Sequence, residues 1–87
     1  MSDLVKQEQA IALTMVQQRV SWLAAVRIYK HLSRADAAKM LNITPELLAR
    51  MEKKEQISTP LRSRMAEIYG CPAALLVCPS WMQSRTA

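Results

Sequence analysis

One glycine, Gly70, serves the whole 87-residue chain. With only four prolines beside it, the stock of turn residues is too small for the many hairpins of a small sandwich or barrel. β folds are set aside on that ground. Hydrophobic residues make up 51% of the chain and include no Phe; Leu, Met, Ala, Val and Ile supply the apolar mass, which suits helices packed on helices. The expected class is all-α, and the length suits one compact domain with a single modest core.

Periodicity and start and stop signals divide the chain. Leu4, Ile11 and Met15, with their neighbours Val5, Ala12 and Val16, recur at helical spacing, with Lys6, Gln7, Gln9 and Gln17 on the other side. This predicts an N-terminal amphipathic helix over 1–17, for packing or dimerisation. A second helical segment runs from Val20 to His31, with Leu23, Val26 and either Ile28 or Tyr29 inward. Ser21 is a candidate N-cap, but no Pro or Gly separates the two segments, so their boundary stays open. Ser33 followed by Asp36 is a variant of the capping box and opens a helix over 33–41. Asn42 tolerates the left-handed conformation that ends a helix, and Thr44-Pro45 supplies an N-cap and a first-position proline for a helix over 45–53. Ser58-Thr59-Pro60 repeats the start signal, Gly70 closes that helix, and Pro72 begins a last short one. Residues 79–87 read as a tail that is polar apart from Trp81 and Met82, with Arg85 solvated.

Two short helices joined by so brief a turn must approach closely, and Ala38 offers the small residue that a steep crossing needs, with Ile43 and Leu48 apolar beside it. The run from Leu32 to Glu52 resembles the helix-turn-helix of lambda-type repressors and Xre-family regulators. Leu32, Ser33, Ala38, Leu41 and Glu52 fit the family pattern directly; Ile43, Thr44, Leu48 and Met51 fit it conservatively. The resemblance covers Val20 to Leu76. It departs from the family at Arg34 in place of Gln, Asn42 in place of Gly, and Lys53-Lys54 in place of Asn-Gly.

The resemblance implies a five-helix lambda-repressor-like DNA-binding domain over 18–78, with an additional N-terminal helix. It implies that Thr44, Pro45, Glu46, Leu47, Ala49 and Arg50 face the major groove, that Arg34 supports base contacts, and that Leu48 and Met51 turn inward. Arg50 can donate two bonds to guanine, Glu46 can accept from cytosine or orient an arginine, and Leu47 can touch a thymine methyl. Ser33, Lys53, Lys54, Arg62 and Arg64 are the expected phosphate contacts, and Arg27 and Glu52 a structural ion pair.

The formal charge of +5 attracts a polyanion without identifying it. The start of the chain carries no basic segment followed by an apolar stretch, and the longest apolar run, Pro72 to Pro79, is too short for a bilayer. The expectation is a cytoplasmic protein with Cys71 and Cys78 as reduced thiols and no membrane partner. With His31 as the lone histidine, a four-ligand zinc site cannot be assembled from one copy, so no metal or cofactor is expected. No Ser-His-Asp set, phosphate loop or acid pair marks an enzyme. The leading expectation is a transcriptional regulator that binds double-stranded DNA, a repressor acting as a homodimer on an inverted-repeat operator, because one recognition helix reads too few bases alone. The alternative is an antitoxin-like or other interaction module in which the Leu4, Ile11, Met15 helix or the Leu75, Leu76, Trp81, Met82 end is exposed and binds a toxin or other protein.

Overall fold

The structure, a computed structural model, describes residues 2–54 and 57–79. Five α-helices run in the order α1 (Ser2–Gln18), α2 (Trp22–Tyr29), α3 (Arg34–Leu41), α4 (Pro45–Lys54) and α5 (Thr59–Tyr69), followed by a single 3-10 turn, Ala73–Leu76. No strand occurs among the described residues, whose regular structure is all helical. The expected last helix is thus only a 3-10 turn, too short to develop α-helical bonding.

Helices α1, α2, α3 and α5 stop in the same way. A residue with positive φ follows each: Arg19 (54°), His31 (60°), Asn42 (61°) and Gly70 (67°). The amide of the next residue then donates back to the last turn: Val20 to the Met15 carbonyl (3.2 Å), Leu32 to Arg27 (3.1 Å), Ile43 to Ala38 (3.0 Å) and Cys71 to Ala66 (3.0 Å). This is the Schellman arrangement, in which a left-handed residue satisfies the orphan carbonyls and an apolar residue follows it. Val20, Leu32, Ile43 and Cys71 all pack against the core. In the first three joints the residue after that is the N-cap of the next helix. Ser21 accepts from the Ala24 amide (3.2 Å), Ser33 from Asp36 (3.0 Å) and Thr44 from Leu47 (3.1 Å). Three residues, one left-handed, one apolar and one hydroxylated, therefore recur in each of these turns, with Lys30 ahead of them in the second. The open boundary between the first two helices falls at the first of them, Arg19 to Ser21.

Helix α2 is the centre of the bundle. Trp22 to Arg27 are six consecutive buried residues, so this helix is covered on every side rather than along one stripe. Ala24 and Ala25 let its neighbours come close. Trp22 is fully enclosed and its indole Nε1–H donates to the Leu75 carbonyl (2.8 Å), which ties the 3-10 turn to the start of α2. Of the two inner candidates near its end, Ile28 and Tyr29, both are half-buried.

Helix α1 lies on α2 and contributes Ile11 and Ala12 to the same core. This corrects the expectation of an exposed Leu4, Ile11, Met15 face: Ile11 is 0% exposed and Met15 is half-buried. The apolar residues α1 turns outward are Val5, Leu13 and Val16, at 50%, 57% and 57% exposure. At the other end Leu75 (0%) and Leu76 (3%) are core residues and not a free apolar surface. They fill the space under the 3-10 turn against Trp22. The side chain of Leu4, and Trp81, Met82 and Arg85, lie outside the described residues.

His31 is exposed and sits in a conformation that costs a non-glycine residue roughly 1–2 kcal/mol, against about 0.5–1 kcal/mol of extra chain entropy for glycine. His31→Gly is therefore expected to stabilise the fold by about 0.5–1 kcal/mol, or roughly 3–6 °C in Tm for a domain of this size. Asn42→Gly should change less, because Asn already tolerates the left-handed region. Thermal melts check both; a lower Tm for His31→Gly would mean that the imidazole itself supports the joint.

Candidate nucleic-acid interface

Helices α3 and α4 form a unit whose inner side is closed. Ala37, Ala38 and Leu41 of α3 and Leu48 of α4 are buried, at 0%, 0%, 2% and 0% exposure, with Ile43 of the turn and Met51 of α4 packed at their edge. The methyl-sized contact at Ala38 is what allows the two short helices to cross closely. Thr44 caps α4 through its Oγ1, and Pro45 at the first position needs no amide partner there.

The outer side of the unit is polar and cationic. Thr44, Pro45, Glu46, Leu47, Arg50, Lys53 and Lys54 are exposed, as are Ser33 and Arg34 at the start of α3. Ala49 differs from the rest of the set expected to face the groove: it is half-buried and lines a cleft toward α2. Ser33 Oγ is occupied as the acceptor for the Asp36 amide, which leaves its hydroxyl proton for an outside acceptor. Arg62 and Arg64 do not share a face, because two positions apart on a helix are roughly 200° apart. Arg64 is exposed; Arg62 is half-buried and its Nε is enclosed without a hydrogen-bond partner. The described structure therefore does not present them as one basic pair.

Behind the surface stands a buried ionic cluster. Arg27 Nε donates to Glu52 Oε2 at 2.7 Å, and Arg27 Nη1 donates to the Leu32 carbonyl at 2.8 Å. Both side chains are almost completely enclosed, at 8% and 4% exposure. Arg34 Nε approaches the other carboxylate oxygen, Oε1, at 3.6 Å. The sequence pattern carried no sign of this second contact, since Arg34 and Glu52 lie on different helices with no periodic relation. Arg34, Ala49, Glu52 and Lys53 together with Ser21 and Ala24 line a cleft of about 200 Å³.

The Tyr69 hydroxyl is buried near this cluster and lacks a hydrogen-bond partner. Burial first, and the Glu52 charge second, push its pKa up to about 12, with Arg27 opposing. Burial also raises the Cys71 thiol, against the pull of Lys30; Cys71 and Cys78 are both half-buried. Among the described residues no three His, Cys, Asp or Glu side chains gather where they would hold a metal ion, and no helix is long and apolar enough to cross a membrane. Comparison with protein-family models, with curated proteins and with solved structures finds no match to this chain.

Tyr69 gives a test of the cluster. A group whose pKa is raised on folding adds stability below its unfolded pKa and loses it as pH rises through the folded value. Here the window runs from the ordinary 10.0 up to about 12. Tyr69→Phe should flatten the Tm-against-pH curve in that window. At neutral pH the same variant should hold or raise Tm, since it removes a buried hydroxyl that has no partner. A clear loss of Tm at neutral pH would mean that the hydroxyl is bonded in solution.

Proposed function

We propose that this chain is a sequence-specific DNA-binding transcriptional regulator of the lambda-repressor, Xre-like type, acting as a repressor on an inverted-repeat operator. One observation carries this reading: a short two-helix unit, closed on its inner side by Ala38 and Leu48, exposes Arg34, Arg50, Lys53 and Lys54 on its outer side. A duplex needs this combination of a rigid helix for the groove and cations for the flanking phosphates. Arg50 is the base reader in this reading, with Leu47 against a thymine methyl and Ser33, Lys53 and Lys54 on the backbone. The direct experiment is recovery of DNA from genomic fragments by the purified protein across salt concentrations, followed by sequencing. An enriched inverted repeat is the expected outcome; uniform recovery or none would exclude a sequence-specific role.

Once a site is known, Arg50→Ala should cost about 1–3 kcal/mol of discrimination at one base pair, with Tm nearly unchanged. Lys54→Ala should weaken all sequences alike and shallow the salt dependence by about one phosphate equivalent. Competition titrations with single-base operator variants separate the two behaviours, and a sequence-selective effect at Lys54 would contradict its role.

Val5, Leu13 and Val16 are exposed together on the outer face of α1, where a second subunit can cover them, and a homodimer doubles the bases read. Leu13→Glu should leave helical content unchanged and convert dimer to monomer in light scattering. A wild-type protein that stays monomeric at high micromolar concentration and binds one asymmetric site would overturn the dimer. If the monomer instead forms a stoichiometric complex with a co-purifying protein through this face, the antitoxin-like reading takes its place.

A further inference from the structure

The two oxygens of Glu52 keep different company. Oε2 accepts from Arg27 Nε at 2.7 Å inside the core. Oε1 is also buried and has no hydrogen-bond partner; the Arg34 Nε beside it is 3.6 Å away. That distance is too long for a hydrogen bond. Charge alone holds Arg34 there. The two arginines also differ in exposure, with 8% for the Arg27 side chain and 50% for that of Arg34. Glu52 keeps a full counter-charge in Arg27 whichever way Arg34 turns, so Arg34 can leave without stranding a buried carboxylate. The cleft beside it, with a volume of about 200 Å³, is several water volumes in size, and the small Ala49 side chain on its wall leaves that room. Lys53 adds a second cation at its edge.

We infer that this cleft seats one phosphate of the duplex and that Arg34 is its donor, parked against Glu52 Oε1 in the free protein and handed over to the phosphate on binding. The inference rests on the DNA-binding reading and assigns Arg34 to the backbone rather than to a base. Phosphate outcompetes the parked carboxylate because it offers the guanidinium directed, charge-assisted hydrogen bonds in place of an unbonded contact. Glu52 thereby divides its work: one oxygen holds the fold through Arg27, the other sets how readily Arg34 is given up.

A double-mutant cycle on Arg34→Gln and Glu52→Gln tests this, read by fluorescence anisotropy on a labelled mixed-sequence duplex of about 20 base pairs at two salt concentrations a factor of about four apart. Arg34→Gln should remove one phosphate equivalent, so affinity falls about 3.5-fold less across that salt step than in the wild type. Glu52→Gln, whose amide oxygen can still accept from Arg27, should tighten binding by about two- to fivefold, the worth of releasing one half-exposed ion pair. In the Arg34→Gln background it should do nothing. Equal tightening in both backgrounds would mean that Glu52 acts only through net charge, and an unchanged salt slope for Arg34→Gln would remove Arg34 from the phosphate; either result overturns the inference and leaves the DNA-binding reading standing. A wild-type protein that does not bind the duplex at the lower salt overturns both. Should Glu52→Gln fail to fold, the arginine Nε–Hε NMR signals of the wild type decide on titration with the same duplex: the Arg34 signal should move while that of Arg27 stays, and a stationary Arg34 signal in a formed complex overturns the handover.

Discussion

A single buried carboxylate organises this bundle. Glu52 reaches from α4 to Arg27 in the middle of α2, and Arg27 in turn reaches the Leu32 carbonyl in the joint before α3. One ion pair therefore fixes the positions of three consecutive helices relative to one another. A charge enclosed to this degree costs several kcal/mol to desolvate, and only a directed partner makes it tolerable. Truncating either member would strand the other at a cost of about 3–5 kcal/mol. The Tyr69 hydroxyl of α5 is buried beside the pair without a hydrogen-bond partner, and the Glu52 charge helps to keep it protonated.

The outer surface inherits its order from that interior. Because Leu48 and Glu52 of α4 face inward, a helical turn apart, Arg50 and Lys53 have no choice but to project away from the core. The outward display of the α4 cations is thus a by-product of burial on the opposite side. This is also why Ala49 is the exception among the exposed residues of α4: it sits next to Leu48 on the side that turns toward α2, and only a side chain this small leaves the cleft open there.

Much of the helix plan was legible in the sequence because its signals are local. Ser33, Asn42, Thr44, Ser58 and Gly70 are residue types whose chemistry suits a helix end, and each occupies one. Arg19 and His31 do the same work without looking like it: neither residue type announces a left-handed backbone, so the sequence leaves the first joint open and marks the second only as the end of a helix. The orientation of α1 was hidden for another reason. Apolar residues occur around much of its circumference, and only contact with α2 selects Ile11 over Leu13 for the inside. The Arg27–Glu52 pair came from the family resemblance, whereas the approach of Arg34 to Glu52 depends on how α3 and α4 are placed in space. No spacing rule encodes that.

The three repeated joints have a kinetic consequence. Each is closed by hydrogen bonds spanning five residues or fewer, so the chain can form every one of these corners before it collapses, at little loop-closure cost. Few bonds must then wait for distant parts to meet, and the Trp22 to Leu75 bond, across 53 positions, is one that must. Such a balance of near and far contacts belongs to fast-folding helical domains. In that scheme the corners govern the rate of folding, and the clasp between the 3-10 turn and α2 governs how slowly the finished bundle comes apart.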